Sequence, residues 1–357
     1  MFVLPYHDLV WFRNINIHIN ALSLQLHYLL SPLIPLSSTE TMQLLKLLAS
    51  AAFAATVSGF NTDVHNQIGF MAEKFLTHET ANILERILEP QYSKSIGKAA
   101  AWADSYRREP GGEFSYQWHW IDSLDTPPSV CNTYYNRDCT KGGCIVSAIA
   151  NQSMILRDCI KDAKAHKLTQ GTNLTCSYAL KWVVHFTSDL AQPLHTSNLG
   201  QGGNAFTVSY GGKTNNSVLH SIWDGAIIYS RANKTSFSNQ TIDPYFEGLV
   251  KRIKADNFFE PTDKWTACTD PATPVACAME WAKDSNIWNC DYIYSQDFTA
   301  SDLKTSGYFE GAYPIVEIQM SKAALRLGTY LNNLVAGKYD KDREVVLRTN
   351  PAWKEEL

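Results

Sequence analysis

Twice in this chain a histidine and an aspartate stand four residues apart inside an apolar run. His185 and Asp189 do so in Trp182-Val183-Val184-His185-Phe186-Thr187-Ser188-Asp189-Leu190, and His220 and Asp224 in His220-Ser221-Ile222-Trp223-Asp224. Residues at i and i+4 share one face of an α-helix, and an imidazole or carboxylate taken out of water is costly unless it is paired. Such a chain is constrained to fold into helices whose apolar faces enclose a polar centre. One pair alone reads more readily as a structural hydrogen bond on a half-buried helix. Two pairs, with His195 following a helix-ending Pro193, read instead as ligands that share metal ions.

The chain has 357 residues, 45% hydrophobic and 12% aromatic, enough for a full core in one large domain or two small ones. Its formal net charge is -4, so a grip on long nucleic acid through basic surface is excluded. If the substrate is a polyanion, bound cations must supply the attraction. Residues 1–41 alternate short apolar runs with prolines and read as an extension outside the mature protein. From Met42 the sequence takes the form of a secretory signal peptide: Lys46 among leucines, a small apolar run through Ala55, and Val57-Ser58-Gly59 at the cleavage positions. Cleavage after Gly59 makes Phe60 the first mature residue; the alternatives are a buried helix or a membrane anchor. All eight cysteines follow Gly59, as disulfides in a secreted chain would. Five glycosylation sequons follow it too, at Asn151, Asn173, Asn215, Asn233 and Asn239.

Helical periodicity predicts helices over His65–Leu76, Glu79–Leu88, Gly143–Leu156, Tyr178–Leu190, Pro244–Ile253, Val275–Ala282 and Tyr313–Val335. Ala205–Tyr210, followed by Gly211-Gly212, reads as half of a β-hairpin. Glu109–Glu113 and Ser123–Asp138 read as loops, and residues 337–357 as a polar tail. The expected fold is all-α: a single compact multi-helix domain with a short β-hairpin, spanning residues 60–336.

Three more residues join the candidate ligands. Asp104 lies in Trp102-Ala103-Asp104-Ser105-Tyr106-Arg107, where a helix cap is its ordinary role. His119 lies between Trp118 and Trp120 and could simply pack there; His65 lies five residues after Phe60. Imidazole and carboxylate ligands without thiolate suit catalytic zinc. The order of these motifs is specific as a set. It comprises Trp102-Ala-Asp104-x-Tyr106-Arg107, His119-x-Ile121-Asp122, Asp125-x-Pro127-Pro128, Cys131-Asn132-x-x-Tyr135-x-Arg137-Asp138-Cys139, the run from Val183 to His195, Gly202-Gly203-Asn204 and His220-x-Ile222-Trp223-Asp224. In these the chain resembles the S1/P1 nucleases, the zinc-dependent single-strand-specific nucleases of fungi and plants, which are related to bacterial zinc phospholipases C.

Carried over residue by residue, the resemblance implies three Zn2+ ions. One would be held by Asp104, His119, His185 and Asp189, and a second by His195, His220 and Asp224. The third would take His65, a shared Asp189, and the amino nitrogen and carbonyl oxygen of Phe60. The family usually has Trp at that first position. Backbone atoms do the chelating, so Phe60 keeps the ligands but loses an indole that anchors the terminus. The implied activity is hydrolysis of single-stranded DNA and RNA to 5′-phosphorylated products, with 3′-nucleotidase activity, by a secreted monomer. Asp104 and Asp189 would serve catalysis through the metal, which lowers the pKa of bound water toward about 7. Arg107 would stabilise charge in the transition state; its other reading is a surface salt bridge. Trp120 would stack a base and Asp122 accept hydrogen bonds from its edge. The tyrosines of a second nucleotide site have no counterparts near Lys213 and at Ala226. Disulfides Cys139–Cys144 and Cys131–Cys290 are implied, leaving Cys159–Cys176 and Cys268–Cys277 by elimination. A zinc phospholipase C-like phosphodiesterase and an inactive secreted binding homologue are the competing functions.

Overall fold

Hydroxyl, amide and proline signals set where the long helices begin. The computed structural model describes residues 60–299 and 301–337; the expectations for residues 1–41 and 42–59 and for nearly all of the tail lie outside them. Seven helices of ten or more residues are among those described: α1 (Thr62–Glu73), α2 (His78–Ile87), α3 (Ile145–Lys164), α4 (Leu174–Asp189), α5 (Pro244–Lys254), α6 (Pro274–Trp288) and α7 (Tyr308–Ala336). Thr77 caps α2 by accepting from Thr80 N–H at 3.1 Å, and Asn173 caps α4 by accepting from Cys176 N–H at 3.1 Å. Pro244 and Pro274 stand in the first turns of α5 and α6, where a missing N–H costs nothing. Gly307 and Gly337 bracket α7 in the left-handed region.

Helix α4 is buried on nearly every side from Cys176 to Asp189. It packs with α1 and α7, which also touch each other, while α3 packs on α4 and carries α2 and α6 against it. This trio of α1, α4 and α7 places His65, His185 and Asp189 in the middle of the molecule. A close approach fixes the next piece. A Cβ on Gly69 would lie 2.7 Å from Gly97 Cα, so the short helix Ile96–Ala99 lies directly on α1. It leads straight into Trp102–Tyr106, the turn that bears Asp104.

The hairpin forms as expected but shorter: Thr207–Tyr210 pairs antiparallel with Lys213–Val218 across Gly211 and Gly212, both at positive φ. Four disulfides join Cys131–Cys290 and Cys139–Cys144, the pairings the resemblance implies, and Cys159–Cys176 and Cys268–Cys277, those left by elimination. Several boundaries differ from the periodicity. Helix α3 runs on to Lys164, because Cys159, Ile160 and Ala163 keep one face buried beyond Leu156. Helix α6 continues to Trp288, and α7 starts five residues before Tyr313 with Pro314 inside it. The loop Ser123–Asp138 ends in a helical turn, Tyr135–Asp138. Among the described residues no helix is long and apolar enough to cross a membrane.

Candidate metal centre

Six different segments deliver the candidate ligands. His65 comes from α1, Asp104 from Trp102–Tyr106, His119 from the end of a 3-10 run Glu113–His119, and His185 and Asp189 from the last turns of α4. Helix α4 ends at Asp189, and a 3-10 turn Pro193–Thr196 brings His195 back over it. His220 and Asp224 come from the segment after the hairpin, which passes from a helical turn Leu219–Ser221 into a π-helical stretch Ile222–Ala226. All eight side chains are buried. They form three groups, His65–Asp104–His185, His119–His185–Asp189 and His195–His220–Asp224, each with its ligand atoms within 4.8 Å of one another.

Distances within the groups are short. Asp189 Oδ2 lies 2.9 Å from His119 Nδ1 and 3.0 Å from His185 Nε2, and Asp189 Oδ1 lies 3.2 Å from His65 Nε2. Asp104 approaches the same imidazoles at 3.8–3.9 Å. In the other group His220 Nε2 lies 3.4 Å from Asp224 Oδ2 and 3.2 Å from His195 Nε2. Phe60 is buried with its ring edge-on to His65 at 6.1 Å between centroids. Asn61 N–H beside it donates to Asp224 O at 3.1 Å, tying this segment to the second group.

The hydrogen bonds around the imidazoles say what they are for. Nδ1–H of His185 donates to Ala100 O at 2.7 Å, that of His195 to His119 O at 2.6 Å and that of His220 to Gly202 O at 2.6 Å. Ser188 donates to His185 O, so its oxygen accepts from His65 Nδ1–H at 2.7 Å. A neutral imidazole that spends its N–H at Nδ1 presents a lone pair at Nε2. His195 and His220 thus point Nε2 lone pairs at each other across 3.2 Å in a buried site. Only a proton or a cation between them makes that arrangement favourable. His65 Nε2 and Asp189 Oδ1 are buried with no hydrogen-bond partner, which is costly for a purely structural cluster. Nitrogen and oxygen donors, outer hydrogen bonds that fix the tautomer, and unsatisfied inward-facing atoms together fit zinc.

Electrostatics divide the two ends of the centre. Burial would raise Asp189 and Asp104, but the surrounding histidines hold Asp189 well below the usual carboxylate range and Asp104 below it. Burial pushes His65 down, aided by His185, and pushes His119 down to about 3, with Arg107 acting in the same direction. Burial would lower His185 as well, but Asp189 and Asp104 outweigh it and raise it. Asp224 lies in a different setting. Burial raises it well above its ordinary range, opposed by a hydrogen bond from Gln192 Nε2 at 2.7 Å.

Arg107 is buried, with Nη2 3.1 Å from Asp104 Oδ1, which overturns the reading of it as a surface salt bridge. Trp120 is half-buried and its indole N–H donates to Asp122 Oδ2 at 3.2 Å, while burial raises the Asp122 carboxyl. Asn173, Asn233 and Asn239 are exposed, Asn151 is half-buried on α3, and Asn215 lies on the second hairpin strand. Two contributors escape a search for metal-type residues: Ser188 and Gln192. Ser188 and Gln192 sit inside the Val183–His195 motif, but the ligands they contact, His65 and Asp224, lie outside it.

Comparison with known proteins agrees with this geometry. The chain matches the S1/P1 nuclease family over residues 61–336. It is 33% identical over 287 residues to Nuclease S1 of Aspergillus oryzae, covering 80% of this chain and 94% of that protein. It is 29% identical over 273 residues to Nuclease P1 of Penicillium citrinum, covering 76% and 96%, and 30% identical over 287 residues to Endonuclease 4 of Arabidopsis thaliana, covering 77% and 88%. The matched span starts at the residue that follows Phe60 and closes at the end of α7, so it takes in all eight buried histidine and aspartate side chains of the centre but not Phe60. On that span and that identity, this chain belongs to the S1/P1 nuclease family, a family of zinc-dependent nucleases.

Proposed function

We propose that this nuclease is a secreted endonuclease that hydrolyses single-stranded DNA and RNA to 5′-phosphorylated products and removes phosphate from 3′-nucleotides. The observation that carries the reading is the set of imidazole lone pairs turned inward against buried carboxylates, beside a half-buried tryptophan. In this reading Asp104, His119, His185 and Asp189 hold one zinc and His195, His220 and Asp224 another. His65, Asp189 and the backbone ends of Phe60 hold the third, once cleavage after Gly59 has freed its amine. Zinc at these positions supplies Lewis acidity and a lowered pKa for water, which phosphodiester hydrolysis needs near neutral pH.

The chain's own groups do the remaining work. Arg107 keeps a positive charge in a buried setting beside Asp104, where charge building on a phosphoryl oxygen is met at low dielectric. Trp120 offers a ring face to an unstacked base, and its N–H bond to Asp122 fixes the ring plane. A base must leave its stack to reach that face, so single strands are favoured. The exposed sequons Asn173, Asn233 and Asn239 carry the glycans in this reading. The test uses protein whose first residue has been verified, given single-stranded DNA, the same sequence as duplex, and thymidine 3′-phosphate. Faster cleavage of the single strand, fragments bearing 5′-phosphate by mass spectrometry, and phosphate release from the nucleotide are expected. Equal rates on duplex, or fragments ending in 3′-phosphate, would refute it.

A further inference from the structure

The 3-10 run Glu113–His119 that delivers His119 also carries an aromatic ring that the chemistry described so far leaves unused. Tyr116 is 39% exposed. Its ring stands at a right angle to Trp120, with centroids 5.3 Å apart and planes at 87°, and the Arg107 guanidinium carbon lies over the ring, 5.3 Å from its centre. Tyr116 therefore bridges the proposed base platform and the buried cation beside Asp104.

Two rings at a right angle cannot stack on the same base. Each offers its face to a different one, so together they accept neighbouring bases only if those bases are turned sharply against each other. A flexible single strand allows that turn, whereas the parallel stack of a duplex forbids it. From this geometry we propose that Tyr116 is a second base-stacking residue, binding the nucleotide adjacent to the one on Trp120, with Arg107 facing the phosphate that links them. The assignment rests on the single-strand reading above and adds to it a physical source of selectivity: the corner made by two rings. A purely structural role for Tyr116 would be to cover Arg107, and that role predicts equal losses on every substrate.

The experiment compares Tyr116→Ala and Tyr116→Phe with the unaltered protein on dithymidine monophosphate and on thymidine 3′-phosphate. Binding of a phosphorothioate-linked dithymidine, followed by tryptophan fluorescence, gives a readout independent of turnover. Tyr116→Ala is expected to raise KM and Kd for the dinucleotides about fivefold or more beyond any change on the mononucleotide, the lower end for one lost base–aromatic stack. Tyr116→Phe keeps the ring and should retain the preference. Losses of equal size on dinucleotide and mononucleotide, or an unchanged dinucleotide Kd, would overturn the assignment while leaving the single-strand reading intact. An unaltered protein that does not cleave single strands would overturn that reading, and the assignment with it.

Discussion

Asp224 shows how a single ligand position can be unfavourable for the bare fold and useful once a cation is bound. Its carboxyl is raised well above its ordinary 3.8 by burial, so in the metal-stripped protein its charged form is held at a cost near neutral pH. A group raised in this way favours the folded state only while protonated, and its contribution is lost as pH climbs from about 3.8 through the folded value. Asp224→Asn removes that cost. The stripped variant should melt above the stripped parent at pH 7, and the gap should shrink toward pH 4 in calorimetry. The same substitution deletes a ligand, so the zinc-induced rise in Tm should be smaller than in the parent. A stripped variant less stable than the parent at pH 7 would contradict this account. At this scale the sequence was informative because histidines and aspartates in apolar runs have few structural uses. What it concealed were residues that act through others. Ser188 and Gln192 look like ordinary polar positions until Ser188 is found against His65 and Gln192 against Asp224.

At the scale of elements, the centre depends on short pieces held by close contacts. Ile96–Ala99 and Trp102–Tyr106 bring in the Ala100 carbonyl that orients His185, and Asp104 itself. The first rests on the contact of Gly69 with Gly97, and the second packs on α4. Gly69→Val should cost about 1–3 kcal/mol by overpacking and reduce bound zinc per chain, read by thermal melts and metal analysis of one sample. Unchanged zinc with lowered stability would show that the two helices are not coupled to the site. Periodicity revealed the long helices because each buries a wide stripe, and it missed these pieces because four or five residues complete barely one turn. The π-helical stretch at Ile222–Ala226 was invisible for a related reason. A one-residue widening leaves His220 and Asp224 at the same spacing in sequence. The Gly211-Gly212 turn was legible because two adjacent glycines at positive φ are what a tight hairpin demands.

At the scale of the whole molecule, the Cys131–Cys290 bond joins positions 159 residues apart. It pins the loop after Asp122 to the segment where Asn289 Nδ2 donates to Pro193 O, two residues before His195. Replacing both cysteines by serine should lower unfolding free energy by about 2–5 kcal/mol, measured in denaturant. A loss well below that range would mean that the ends are already held by packing. The all-α class was legible from amphipathic spacing, and two of the cysteine pairings from the resemblance, with the other two following by elimination. How six separate segments converge on one centre was not, because convergence is set by packing between helices far apart in sequence. The central claim is that zinc in this buried histidine and aspartate centre performs hydrolysis of single strands. The direct measurement strips the protein beginning at Phe60 with a chelator and titrates zinc back. Zinc bound per chain and cleavage of single-stranded DNA are followed on the same samples. Activity lost on stripping and regained in step with zinc, complete only when three ions are bound, is the predicted result. Cleavage that survives stripping, or three ions bound without any return of activity, would contradict it.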